Sequence, residues 1–248
     1  MTKFKLLALA AVAAAAVNTA YAEGSWSLGA AAYMENYPYR GINTKTSPVP
    51  VVGYEGKDFY FRGFSAGYYL WNDKTDKLAV TAWYNPLHMR PKDSGDHAMR
   101  RLDYRRSTMM AGLSYAHFTQ YGFLRTALGG DVLGESNGVI WDLGWLYSYS
   151  AGGLTITPGI GAVWSSENQN RYYYGVSGHE AARSGMDRYK ADSDWNPYVE
   201  LSVNYKLDKS WSIYGMGRYI RLGDEVKDSP MVDRTWTGVL LTGVNYSF

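Results

Sequence analysis

The stretch WNPYVELSVNYK, residues 195–206, alternates with period two along its whole length. Trp195, Pro197, Val199, Leu201, Val203 and Tyr205 fall on one face, and Asn196, Tyr198, Glu200, Ser202, Asn204 and Lys206 on the other. Side chains of a strand point alternately to its two faces. This segment is therefore a strand with an apolar face and a charged, polar face, as a wall between lipid and water requires. The pattern recurs. In VIWDLGWLYSY (139–149), Val139, Trp141, Leu143, Trp145, Tyr147 and Tyr149 oppose Asp142, Gly144 and Ser148, with Ile140 and Leu146 as exceptions. In GLTITPGIGAVW (153–164), Leu154, Ile156, Pro158, Ile160, Ala162 and Trp164 oppose small residues. Pro158 cannot donate to a ladder, which predicts a bulge or local break there.

The connections sort by length. Short polar ones (72–76, 119–120, 151–152, 207–209) alternate strictly with long ones (87–105, 131–137, 165–194, 223–233). Outer-membrane barrels are built this way, with tight periplasmic turns and larger external loops. The reading is all-β: a transmembrane antiparallel β-barrel of the bacterial outer membrane with about twelve strands. These lie near 25–34, 47–54, 57–63, 66–72, 77–86, 106–118, 120–130, 138–149, 152–164, 195–206, 209–221 and 235–248. The alternative is ten strands, if residues 59–71 form one long strand and the segment before residue 46 does not span. In that case residues 23–46 become a periplasmic segment.

Both ends of the chain fit an exported barrel. Lys3 and Lys5, the apolar run Leu6–Val17 and the small-x-small site Ala20-Tyr21-Ala22 before Glu23 have the three-part build of a cleaved secretory signal over residues 1–22. The apolar run is too short for a membrane-spanning helix, which needs about 20 residues. The barrel domain is expected over 23–248. At the other end, Trp236, Gly238, Leu240, Thr242, Val244, Tyr246 and Phe248 share a face. Leu240, Val244, Tyr246 and Phe248 are the expected signal to the barrel insertion machinery.

Composition removes several classes of function. Without residues 1–22 the chain carries 23 basic and 23 acidic residues, which argues against a nucleic-acid partner. It has no Cys, which removes disulfides, thiolate metal sites and thiol nucleophiles. No zinc-protease, EF-hand or phosphate-loop motif is present, so no metal or cofactor is expected. Asp93, Asp96, His97 and Asp103 cluster in one long loop and form the candidate for acid–base hydrolysis, with a solvated loop as the simpler reading. Glu167 and Glu180 form a candidate carboxylate pair, with nothing to fix their separation. Tyr172–Gly175 (YYYG) reads as a stacking platform or, more simply, as a girdle or a loop folded into the barrel mouth. Glu200, Asp142 and Lys206 are assigned to the lumen, with Arg62, Arg125 and Arg218 joining them.

Four stretches carry a family resemblance: 37–63, 93–118, 166–177 and 229–248. On these the chain resembles the MipA/OmpV family of outer-membrane proteins over its whole length. The resemblance implies a non-catalytic scaffold in peptidoglycan biogenesis. The scaffold bridges a membrane-bound lytic transglycosylase and a bifunctional murein synthase, and no catalytic or cofactor-binding residue carries over. A channel or receptor for small solutes is the alternative, from the polar lumen face and the long loops.

Overall fold

The computed structural model describes residues 24–248; the signal read over 1–22 and its cleavage residues Ala20, Ala22 and Glu23 lie outside the described residues. The strands are β1 (Ser25–Asn36), β2 (Lys45–Glu55), β3 (Phe59–Arg62), β4 (Ser65–Asn72), β5 (Asp76–Asn85), β6 (Thr108–Thr119), β7 (Gly122–Asp131), β8 (Val139–Leu146), β9 (Tyr149–Ala151), β10 (Leu154–Ser165), β11 (Asp194–Lys206), β12 (Trp211–Arg221) and β13 (Trp236–Ser247). Each pairs antiparallel with its neighbours, β13 pairs with β1, and β10 pairs with β11, so the sheet closes on itself. β8 and β9 pair in succession with β10 and act as one stave, so the barrel has twelve staves. Closure leaves no free sheet edge at the seam, where a lipid-exposed edge would strand unpaired backbone groups.

The faces follow the alternation. Along β11, Trp195, Val199, Leu201 and Tyr205 are exposed on the outside, while Asn196, Tyr198, Glu200, Ser202 and Asn204 are buried in the lumen. Trp141, Trp145, Tyr147 and Tyr149 are likewise outward, and Leu146 is buried inside. On β13, Leu240 and Val244 face outward, Phe248 just beyond it is exposed, and the Tyr246 ring packs between those of Trp211 and Phe248.

Three details differ from or sharpen the sequence expectation. Residues 59–71 form two strands: Gly63 takes a left-handed φ of 62° in a two-residue turn that joins Arg62 to Ser65. That turn rules out the ten-strand alternative, and β1 lies in the wall rather than in the periplasm. The same turn breaks the strict alternation of loop lengths, because it is short yet lies on the long-loop side. Finally, β10 runs unbroken through Pro158. The break falls on the neighbouring stave, at Tyr147–Ser148 between β8 and β9, where the Tyr147 N–H donates to the Pro158 carbonyl. A strand residue turns its N–H and C=O toward the same neighbour, so the missing donor of Pro158 faces that stave and its ladder yields.

β6 and β7 pack unusually closely. Gly112 pairs with Gly129, and a Cβ at Gly112 would stand 1.9 Å from the Leu128 carbonyl oxygen. On the lumen side the Trp83 indole occupies the space over Gly129. Gly112→Ala is expected to destabilise the barrel by about 1–3 kcal/mol, the usual cost of overpacking. The check is urea unfolding in detergent, and an unchanged midpoint would contradict the tight β6–β7 contact.

Candidate functional site

The lumen holds two networks of charges that neutralise one another. Arg218 bridges Glu200 at 2.6 Å and Asp142 at 3.0 Å, and Arg125 pairs with Glu200 at 3.0 Å. The Tyr198 hydroxyl donates to Asp142 at 2.7 Å, and the Arg218 guanidinium lies 4.1 Å from the centre of the Tyr198 ring. On the wall made by β2–β4, Arg62 donates to Glu55 at 2.8 Å and stacks over Tyr60, while Tyr69 donates to Glu55 at 2.6 Å. The sequence assignments of Glu200, Asp142, Arg62, Arg125 and Arg218 to the lumen therefore hold, and the first of these networks joins staves β7, β8, β11 and β12. Lys206 departs from its assignment: it is exposed at the end of β11. Buried pairs of this kind cost several kcal/mol to break by removing one partner, so they hold the barrel in one shape.

Between the networks lies a cavity of about 760 Å³, lined among others by Tyr69, Trp83, Tyr214 and Arg218. Its roof is made by loop residues Asn170, Tyr174, Leu222 and Val226, all buried. Its lower lining reaches Ser25, Tyr115, Ser212 and Asn245, close to the short turns. Those turns are too short to fold across the opening. They are tied locally instead, as where Asp73 accepts from the N–H groups of Thr75 and Asp76, and Asp208 from those of Ser210 and Trp211.

The long loops build a second hydrophobic core above the lumen. Tyr37, Tyr39, Ile42, Met89, Met99, Leu102, Tyr173, Val176, Met186 and Met231 are buried together there. Two short helices supply much of it, α1 (Glu167–Tyr174) and α2 (Gly178–Ser184), with a single turn, α3 (Asp224–Lys227), beside them. Ser166 caps α1, and Ser177 and Glu180 form a reciprocal capping box on α2. The Tyr39 hydroxyl donates to the Tyr173 carbonyl, Tyr173 donates to the Arg106 carbonyl, and Ser229 donates to the Tyr174 carbonyl. The loop sequence YYYG is thus a structural part of a cap folded over the barrel mouth.

The acidic loop residues serve the same cap. Asp93 pairs with Lys45 at 2.5 Å, Asp96 accepts from the N–H groups of Ala98 and Met99 and pairs with Arg40, and Asp103 pairs with Arg183. The Met99 N–H is the main cause that holds the Asp96 carboxyl below its ordinary value. His97 is exposed and, among the described residues, hydrogen-bonds to none of these carboxylates. The proposed acid–base constellation is not assembled. Glu167 pairs with Arg171 one helical turn away, whereas Glu180 is buried.

Glu180, read from the sequence as half of a carboxylate pair with Glu167, is instead the keystone of the cap. Its carboxylate accepts from the Arg105 guanidinium at 2.7 Å, from the Asp103 N–H at 2.9 Å and from the Ser177 N–H at 3.0 Å. Arg105 also donates to the Gly175 carbonyl, so the pair locks loop 86–107 to loop 166–193. Burial pushes the Glu180 carboxyl up. The Asp103 and Ser177 N–H groups and then Arg105 outweigh it and hold the group below the ordinary Glu value. A depressed carboxyl stabilises the folded state above its unfolded pKa and loses that contribution as pH falls through the folded one. The cap is therefore expected to resist protease at neutral pH and to become cleavable in loop 166–193 well below pH 4.5, the ordinary Glu value. Glu180→Ala, which leaves Arg105 unpaired, is expected to open it at pH 7 at a cost of roughly 3–5 kcal/mol. Limited proteolysis of the detergent-solubilised barrel reads both, and equal resistance of the variant would refute the keystone role.

Comparison with known proteins supplies the family. The chain is 59% identical over 248 residues, all of both chains, to a protein of Escherichia coli K12 named MltA-interacting protein. It is 37% identical over 222 residues, 90% of each chain, to the putative outer membrane protein YiaT of Escherichia coli O157:H7. Among solved structures, an outer membrane channel from Pseudomonas putida F1 aligns over 92% of this chain and 97% of its own at 10% identity, with a TM-score of 0.47. The closed barrel and the 37% identical relative, named a putative outer membrane protein, place the protein in the outer membrane. The family model described as MltA-interacting protein MipA matches residues 28–248, and the chain belongs to that family.

Proposed function

We propose that the protein is a non-catalytic outer-membrane scaffold in peptidoglycan biogenesis, bridging the membrane-bound lytic transglycosylase MltA and a bifunctional murein synthase. The observation that carries this reading is identity of 59% along the full chain with a relative whose name states an interaction with MltA. The murein-synthase half rests on the family resemblance. The loop carboxylates support a non-catalytic role, because each is engaged in holding the cap rather than facing His97. The outward row Leu240, Val244, Tyr246 and Phe248 serves the insertion machinery in this scheme, and outer-membrane lipid is the surrounding partner. Residues 1–22 act as the export signal.

A stable interface takes about 800 Å² per partner. No single turn supplies that. The ring of turns together with the exposed lower girdle, including Trp71, Tyr121, Tyr149 and Leu207, offers a broad face to the periplasm. The alternative, a channel or receptor for small solutes, has the lumen cavity in its favour and the cap against it.

Purified barrel should bind soluble MltA saturably, and an unrelated twelve-strand barrel should not. Aromatic residues dominate interface energies, so Tyr121→Ala combined with Leu207→Ala is expected to weaken binding tenfold or more, about 1.4 kcal/mol. Absence of binding at both low and high salt would overturn direct bridging.

A further inference from the structure

Among the described residues, pairing fails over its longest run beside β2. The β3–β4 hairpin turns back at Gly63-Phe64, opposite Val52 of β2 and Tyr84 of β5, while β2 continues from Val52 to Lys45. Above the turn β2 pairs with β1 only, and no pairing joins it to β5 among the described residues. The unpaired run Thr46–Pro50 is five residues long, about 16 Å at the strand rise of about 3.3 Å per residue. β5 reaches only one residue past the tip, where the Tyr84 N–H donates to the Phe64 carbonyl, so above the tip the gap is bounded by the segment that begins at Pro86. Segment 86–95 closes the top, through Lys45 to Asp93 and the Gly95 N–H to the Gly41 carbonyl.

The sequence of β2 is adapted to this gap. The Gly63 N–H donates to the Val52 carbonyl, so the even-numbered residues of β2 turn their backbone groups toward β3. Pro48 and Pro50 share that parity. They stand on the unpaired edge and have no N–H to leave unsatisfied in lipid. Beside Pro48 and Pro50 a hydrocarbon chain buries carbonyl oxygens but no orphan donor; the one N–H on this edge is that of Thr46, at its upper end. The borders are apolar: Pro48 and Pro50 face outward, with Val52 and Phe64 below them. The lumen cavity reaches the gap, since its lining includes Pro50, Val52, Gly63 and Phe64 together with lumen-facing Val51 and Trp83.

We infer that this gap is a lateral portal through which an acyl chain of a bilayer lipid lies between β2 and the β3–β4 tip and reaches the lumen cavity. The occupant follows from position. The gap opens beside outward-facing Pro48 and Pro50, with Val52 and Phe64 at its lower border, on the loop side of the hairpin tip and beneath the cap. The rim above it carries Arg40, Lys45 and Lys92, of which Lys92 is exposed and makes no ion pair among the described residues, giving an anionic headgroup a counter-charge.

The test uses the wild-type chain in phosphatidylcholine vesicles that contain a phospholipid with a diazirine midway along one acyl chain. After irradiation, peptides are mapped by mass spectrometry. The expected result is adducts on lumen-facing Val49, Val51 or Trp83 at five or more times the yield on Ala127 and Ser202, which line fully paired wall. A Phe64→Ala variant, which widens the lower border, should raise the yield at Val51 about twofold. Adducts confined to outward-facing residues would overturn the portal, as would equal lumen labelling on the paired wall. A water-soluble diazirine probe that reproduces the pattern at the gap would also overturn it, by showing the gap to be wet.

Discussion

Backbone hydrogen bonding in lipid is the constraint on which the rest of this structure depends. No water is available in the hydrocarbon layer to satisfy an N–H or a C=O, so strands must close into a ring. The β13–β1 seam does that over ten residue pairs. Where the ring is interrupted, proline stands at the interruption. Pro158 faces the break between β8 and β9, and Pro48 and Pro50 face the gap above the β3–β4 turn. In both places the missing donor and the missing partner coincide, so a residue that weakens an ordinary sheet suits this one.

Closure fixes the outline, and polar burial fixes the interior. The lumen holds arginines and carboxylates in matched pairs, with tyrosines filling the remaining acceptor and stacking positions. The low exposure of Arg218 and Glu200, 5% and 2% of their side chains, means that neither can lose its partner without leaving a buried charge. Above them the loops form a core of tyrosines and methionines, locked by Arg105 and Glu180. The result is a barrel roofed toward the outside, with its cavity running down to the short-turn side, where the proposed murein partners work.

Much of this was legible in the sequence, for a clear reason. Period two is imposed locally by strand geometry, so Trp195 through Lys206 announced both the strand and its two faces. The two-strand reading of residues 59–71 was open because a two-residue turn leaves almost no mark beyond Gly63. Of the cap, only the loop at Tyr172–Gly175, read as a girdle or as folded into the barrel mouth, was legible, and the rest was hidden for a different reason. Its contacts are long-range, as between Arg105 and Glu180, and no local pattern reports them. Two signals were nevertheless present. Ser177-x-x-Glu180 is a capping box, which predicts a helix inside the supposed loop. Loops carrying Tyr37, Tyr39, Met89, Met99, Met186 and Met231 hold more apolar surface than solvated loops need. The carboxylates of 93–103 read as chemistry because sequence shows their density and hides their partners, Lys45, Arg40 and Arg183.

The loops close this barrel on its outer side, and the proposed periplasmic role depends on that closure. Planar-bilayer conductance tests it most directly. The purified protein, inserted with its loops intact at neutral pH, should add no steady current at moderate voltage of either sign. Stable open steps of the size given by an uncapped twelve-strand pore would contradict the closed cap and return the channel reading to first place.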